Sequence, residues 1–135
     1  MNKRLLVDEF TTPGPITVSG DTSVANVANL MSDHGIRHLP VVDDGKPVGL
    51  ISDRDIKVLA NFGDQASFRA QDIMSPEPFV VASDCPLEEV AMQMSEKKIG
   101  SAIVQDVEDG SLGIFTSTDA LNALIEITRG LESGS

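Results

Sequence analysis

The stretch Pro15-Ile16-Thr17-Val18 returns as Pro78-Phe79-Val80-Val81, sixty-three positions later. The echo continues at the same spacing. Asp21 meets Asp84, Val27-Ala28 meets Val90-Ala91, and Met31-Ser32 meets Met94-Ser95. Further on, Ile36 meets Ile99, Val41 meets Val104 and Asp43 meets Asp106. After one inserted residue, Gly49 meets Gly113 and Asp55 meets Asp119, while upstream Thr12-Pro13 meets Ser75-Pro76. Several of these matches are Asp, Gly or Pro at the ends of elements, where apolar periodicity alone would not put them. The chain is therefore an internal duplication, with one copy over 1–63 and the other over 64–135.

Each copy reads as strand–helix–strand–strand–helix. A short apolar run, Ile16 to Val18 or Phe79 to Val81, follows a proline that confines it to a strand start. A helix comes next. In the first copy Thr22 stands at the N-cap, and Val24, Val27, Ala28 and Met31 form an apolar stripe at helical spacing. In the second, Cys85 takes the cap slot, Pro86 the first helical position and Glu88 the third, ahead of Leu87, Val90, Ala91 and Met94. A hairpin follows: Leu39–Val42 and Val48–Ile51 flank Asp44-Gly45, and Ala102–Val104 and Leu112–Phe115 flank Asp109-Gly110. Asp53 to about Asn61 and Ser117 to about Thr128 close the copies as helices. Leu131–Ser135 reads as a disordered tail. One such unit has little core of its own, whereas two copies together share enough.

The totals narrow the function. The 135 residues carry a net charge of −11, with no Trp or Tyr and one cysteine. An acidic chain does not attract nucleic acid or an anionic membrane, so neither is expected as a partner. A single Cys85 forms no intrachain disulfide, and the N-terminal stretch, whose apolar run stops at Asp8, does not read as a secretory signal. The expected location is the cytoplasm.

In order along the chain stand Gly35-Ile36-Arg37-His38-Leu39-Pro40-Val41-Val42-Asp43, then Gly49-Leu50-Ile51-Ser52-Asp53-Arg54-Asp55. The second copy has Asp72-Ile73-Met74-Ser75-Pro76, then Ile99-Gly100-Ser101-Ala102-Ile103-Val104, then Gly113-Ile114-Phe115-Thr116-Ser117-Thr118-Asp119. This succession resembles the CBS motif, present here in tandem as in a Bateman module. The first copy departs from the pattern at its start, Glu9-Phe10-Thr11-Thr12-Pro13. The resemblance implies an α+β fold in which two motifs pack sheet to sheet with pseudo-two-fold symmetry, and a dimer of such pairs.

It also implies a nucleotide signature, Gly-h-h-(Ser/Thr)-x-x-Asp, with h an apolar residue. Ser52 and Thr116 stand where a strand becomes a helix, and their hydroxyls can donate to ribose or phosphate oxygen. Asp55 and Asp119, three residues on, lie one turn along the same helix face, where a carboxylate can accept from the ribose hydroxyls. The same spacing also describes an N-cap with an acid at the helix start, and both uses stay open at this point. Ile16 and Val18, or Phe79 and Val81, would form the wall for adenine. By resemblance the segment before the second strand of one motif reaches the site of the other. That groups Ser52, Arg54 and Asp55 with Gly100 and Ser101, and Thr116 and Asp119 with Arg37 and His38.

Other chemistries find little support. Cys85 has acidic neighbours and no adjacent base. His34 and His38 have a metal spacing only on a helix, which Gly35 and Pro40 interrupt. Asp106–Gly110 lacks the closing Glu of a calcium loop. No catalytic residue, metal site or required cofactor is expected. The reading is a stand-alone regulatory module, not an enzyme, that binds AMP, ADP or ATP and signals by conformational change to an effector protein of unknown identity, as a homodimer. The alternatives are a dimerisation module with empty clefts, or a sensor of another adenosyl ligand such as S-adenosylmethionine or NAD.

Overall fold

The computed structural model describes residues 4–13 and 16–134; Met1–Lys3, at the head of the N-terminal stretch, Gly14, Pro15 and Ser135 lie outside it. Two compact units emerge, one of residues 15–78 and one of residues 1–14 together with 79–135. Strands and helices are mixed in each, an α+β fold. The expected division at 63/64 follows the repeat; packing divides the chain elsewhere, because each copy gives its leading segment to the other unit.

In the unit of residues 15–78, α1 (Val24–His34) is followed by β2 (His38–Asp43) and β3 (Lys46–Ser52), then by α2 (Asp53–Leu59) and a one-turn helix α3 (Ala70–Ile73). The strand β4 (Ser75–Pro76) completes an antiparallel sheet in the order β2-β3-β4. The other unit holds β1 (Thr12–Pro13), β5 (Val80–Ala82), α4 (Leu87–Lys97), β6 (Ser101–Gln105), β7 (Leu112–Thr116) and α5 (Ser117–Gly134). Its sheet runs β1-β7-β6-β5, with only the β5–β6 pair parallel.

The duplication extends into the leading segments. Val7 N–H donates to Cys85 C=O at 2.9 Å, and sixty-three positions on Ala70 N–H donates to Thr22 C=O at 2.7 Å. Leu87 N–H bonds Leu5 C=O as Val24 N–H bonds Phe68 C=O, each at 2.9 Å. Thr12 and Pro13 pair with Ile114 and Gly113, as Ser75 and Pro76 pair with Leu50 and Gly49. So residues 5–13 dock on the second hairpin and residues 68–76 on the first.

The two cores correspond position by position. Val24, Val27, Met31, Leu39, Val41, Ile51 and Leu59 pack in one; Leu87, Val90, Met94, Ala102, Val104, Phe115 and Ala123 pack in the other. The volumes compensate between cross-strand partners. Leu39 faces Ile51 in one hairpin, and Ala102 faces Phe115 in the other. A smaller residue on one strand is matched by a larger one opposite, which keeps the packing filled.

Four expectations need correction. The first strand of copy one is reduced to a single parallel bridge between Val18 and Val41. In copy two the strand is reinforced by Ile103 N–H donating to Phe79 C=O at 2.8 Å. The residue in the place of Ile103 is Pro40, which has no N–H to offer Ile16. The helix caps also move by one residue. Ser23, not Thr22, caps α1 by accepting from Asn26 N–H at 3.2 Å. Pro86, not Cys85, stands at the N-cap of α4, with no side-chain acceptor. In addition, α5 continues through the stretch read as a tail, to Gly134. The first hairpin folds as read: Asp44 and Gly45 both have positive φ (52° and 75°), the two-residue turn that Asp-Gly favours. The second does not turn on Asp109-Gly110 alone; its strands end at Gln105 and Leu112, and in the longer loop between them Gly110 has positive φ (74°) while Asp109 does not.

Candidate functional site

Each signature sits where the returning hairpin strand turns into a helix. Ser52 is the last residue of β3, opposite His38, the first residue of β2. Asp53 N–H donates to Arg37 C=O at 2.9 Å, which ties the start of α2 to the segment entering β2. Asp55 Oδ2 accepts from Ser52 N–H at 2.9 Å, and Ser52 Oγ accepts from Asp55 N–H at 3.3 Å. This reciprocal pair is a capping box.

The second copy repeats the arrangement with one difference. Thr116 ends β7 opposite Ser101, and Ser117 N–H donates to Gly100 C=O at 2.9 Å. Asp119 Oδ2 accepts from Thr116 N–H at 2.8 Å, and Thr116 Oγ1 accepts from Asp119 N–H at 3.3 Å. In addition the Thr116 hydroxyl donates to Asp119 Oδ2 at 3.0 Å. Both Ser/Thr–Asp pairs are half-buried. The capping use is thus realised in both copies. It occupies Oδ2 of each aspartate and holds each carboxylate in one orientation, leaving Oδ1 to accept from a ligand. A carboxylate already fixed by the fold loses little freedom on binding.

Within the units the residues group as Arg37 and His38 with Ser52, Arg54 and Asp55, and as Gly100 and Ser101 with Thr116 and Asp119. Along the first strands, Val18 and Val81 are buried in their cores, and Ile16 and Phe79 are half-buried against the same cores. The alternate residues Thr17, Val80 and Ala82 are the exposed ones. Strand alternation decides this, because residues two apart share a face.

Lys97, absent from the sequence reading, holds its ammonium 5.8 Å from the centre of the Phe79 ring. Its position in the last turn of a helix before Ile99-Gly100 was the available signal. The side chains of Arg37 and Arg54 are exposed and make no ion pair or hydrogen bond among the described residues. Burial, Glu89 and Asp84 together raise the Cys85 thiol pKa above its ordinary value. His34 ends α1 and His38 begins β2, so the two are not on one helix. Among the described residues no group of three or more His, Cys, Asp or Glu could hold a metal ion, and no helix is long and apolar enough to cross a membrane.

A second feature lies on the other unit's helices. Leu5, Leu87, Ala91, Ala120, Leu124 and Ile127 line a groove of about 450 Å³ with the Arg4–Glu88 ion pair at its rim. Leu121, Leu124 and Ile125 of α5 are 61%, 59% and 47% exposed.

Comparison with known proteins agrees with this architecture. The CBS domain family model matches residues 7–59 and 70–126. The chain is 35% identical over 116 residues to L-aspartate semialdehyde sulfurtransferase of Methanocaldococcus jannaschii, a match covering 84% of this chain and 22% of that enzyme. It spans about a fifth of the length of the first curated relatives it matches; those larger enzymes are matched only over their CBS part. Among solved structures, the CBS domain pair of protein MJ0100 in complex with 5′-methylthioadenosine and S-adenosyl-L-methionine is 31% identical, with a TM-score of 0.76 over 90% of this chain and 97% of that one. CBSX2 in complex with AMP, a CBS-pair protein of Arabidopsis thaliana, is 28% identical, with a TM-score of 0.71 over 91% and 98%. Two matched segments, each carrying its own capped Ser/Thr-x-x-Asp, make this chain a tandem pair of CBS motifs and a member of the CBS domain family.

Proposed function

We propose that the chain is a regulatory CBS pair that binds an adenine nucleotide, AMP, ADP or ATP, and passes the signal to an effector protein by conformational change. The observation that carries this reading is the pair of capped carboxylates. Asp55 and Asp119 are each fixed at a strand-to-helix junction with one oxygen uncommitted, and a ribose diol is the kind of donor pair such an oxygen accepts. Similar CBS pairs with AMP, or with methylthioadenosine and S-adenosylmethionine, support an adenosyl ligand. The sites have no need of a catalytic group, since binding alone shifts a conformational equilibrium when the two states differ in affinity. The exposed apolar face of α5 and its neighbouring groove support association into a homodimer, and a related CBS-CP12 protein is hexameric.

Isothermal titration of the protein with AMP, ADP and ATP tests the reading. Asp55→Asn and Asp119→Asn are the informative variants, because an amide oxygen still accepts the capping N–H but no longer carries charge. Binding that is weakened in one or both is the expected result. No binding of any of the three by folded protein refutes the nucleotide reading.

A further inference from the structure

Met74 is placed quite differently from Thr11, its counterpart sixty-three positions earlier. The Thr11 hydroxyl turns back on its own segment and donates to Val7 C=O at 2.7 Å. Met74 lays its thioether across Gly49 of β3, so closely that a Cβ on that glycine would overlap Sδ and stand 2.7 Å from Cγ. The side chain also packs on the core of its unit. Little else holds β4. Its two register pairs are Gly49 with Pro76 and Leu50 with Ser75, and Pro76 has no N–H to give to the ladder. The firm backbone bonds of the segment lie upstream, from Ala70 N–H to Thr22 C=O at 2.7 Å and from Gln71 N–H to Gly20 C=O at 2.9 Å. Past α3 the segment is therefore pinned mainly by one flexible, polarizable side chain.

That side chain stands where an oxidant reaches it. β4 is an edge strand of its sheet, Met74 is half-buried, and Ser75, Pro76 and Glu77 beside it are exposed. Met31 and Met94, 5% and 4% exposed, are shielded in the two cores, whereas Met92 on α4 is 55% exposed. We infer that Met74 is a redox latch: hydrogen peroxide converts its thioether to the sulfoxide, and the sulfoxide releases residues 74–76 from β3. In that step the peroxide O–O bond breaks, one oxygen joins Sδ and the other leaves as water. Sulfur is oxidised by two electrons and peroxide is reduced by two. The gap between Sδ and Gly49 is smaller than a methyl group, which leaves no place for an oxygen on that side. An oxygen on the other side makes the sulfur polar and draws it toward water, out of the contact. β3 runs on to Ser52, so loosening its edge reaches the Ser52–Asp55 junction. The other unit has a threonine in the equivalent place, which peroxide leaves alone. The latch goes beyond the proposed function and requires no ligand.

The test exposes the full chain to hydrogen peroxide, reads sulfoxide at each methionine by peptide mass spectrometry, and follows amide exchange in peptides over 47–52 and 72–77. Sulfoxide is expected at Met92 and Met74, and not at Met31 or Met94. Exchange in both peptides should speed about tenfold, while a peptide over 112–116 keeps its rate. The two methionine sulfoxide reductases together, one for each epimer, should restore the slow exchange. Met92→Leu should respond like the parent chain. Met74→Leu, which keeps the volume without the oxidisable sulfur, should not respond at all. Met74→Gln, polar from the start, should show fast exchange with no oxidant, and it serves where the leucine variant packs poorly. Full oxidation of Met92 with Met74 still a thioether overturns the latch. So does exchange that is unchanged once Met74 is the sulfoxide, or a response that persists in Met74→Leu.

Discussion

Gly49 lies in β3 between Val41 of β2 and Pro76 of β4, buried at the centre of its sheet. A Cβ built on it would overlap Met74 Sδ and stand 2.7 Å from Met74 Cγ and 3.0 Å from its Cβ. The obstruction includes the root of the Met74 side chain, so a rotamer change at the sulfur end does not clear it. Gly49→Ala therefore forces the segment leading into β4 away from β3. Overpacking of this kind costs about 1–3 kcal/mol, offset by about 0.4–1 kcal/mol from the reduced freedom of the unfolded chain. The net expectation is a loss of about 1–2 kcal/mol. With a urea slope of about 1–3 kcal/mol per molar, the midpoint falls by roughly half a molar to one molar. Adding Met74→Ala to Gly49→Ala should cost less than the sum of the two single changes, because the second removes what the first strikes. Unchanged or increased stability of Gly49→Ala, or strict additivity of the pair, refutes the packing of residues 68–76 against the first hairpin.

Three further outcomes follow from the same structure. Gly45 has φ 75° and open space around it, so Gly45→Ala meets no neighbour but strains the turn and should cost about 1 kcal/mol by chemical denaturation. A raised thiol pKa leaves less thiolate at neutral pH, so Cys85 should alkylate more slowly than a free cysteine. Glu89→Gln, which removes a charge that raises the pKa, should speed the reaction when iodoacetamide consumption is followed at pH 7 to 8. Leu121→Glu with Leu124→Glu on the exposed face of α5 should convert a homodimer to monomer in sedimentation velocity without loss of helix signal; an unchanged sedimentation coefficient would place the association elsewhere.

Most of the secondary structure was legible in the residues. Asp44-Gly45 announced its turn, and Val24, Val27 and Met31 announced the buried stripe of α1. What was not legible is the exchange of leading segments. The likeness of Thr12-Pro13 to Ser75-Pro76 says that the copies are alike, but no local feature says which hairpin each segment joins. The shortened first strand could have been foreseen, since Pro40 in place of Ile103 removes one ladder bond by its chemistry alone. At the sites, Ser52, Asp55, Thr116 and Asp119 were named from the signature that the family resemblance implies, and their use as caps was open to the sequence. The direction of the Thr116 hydroxyl was not legible, because it depends on a side-chain rotation that spacing does not report. Val18 and Val81 were read as a ligand wall from their apolarity, whereas strand alternation turns them into the cores.

The exchange of leading segments has a consequence for biosynthesis. Residues 68–76 dock backwards, onto a hairpin already made, so the strand and helix they join exist before them. Residues 5–13 are in the opposite position. They emerge before residues 15–78, yet their partners are Cys85, Leu87 and β7, made far later. Closing so long a loop is entropically costly and slow, and until it closes Val7, wholly buried in the finished protein, is carried in water. Residues 5–13 are thus made before residues 15–78 yet seated after them, and the unit they belong to matures second.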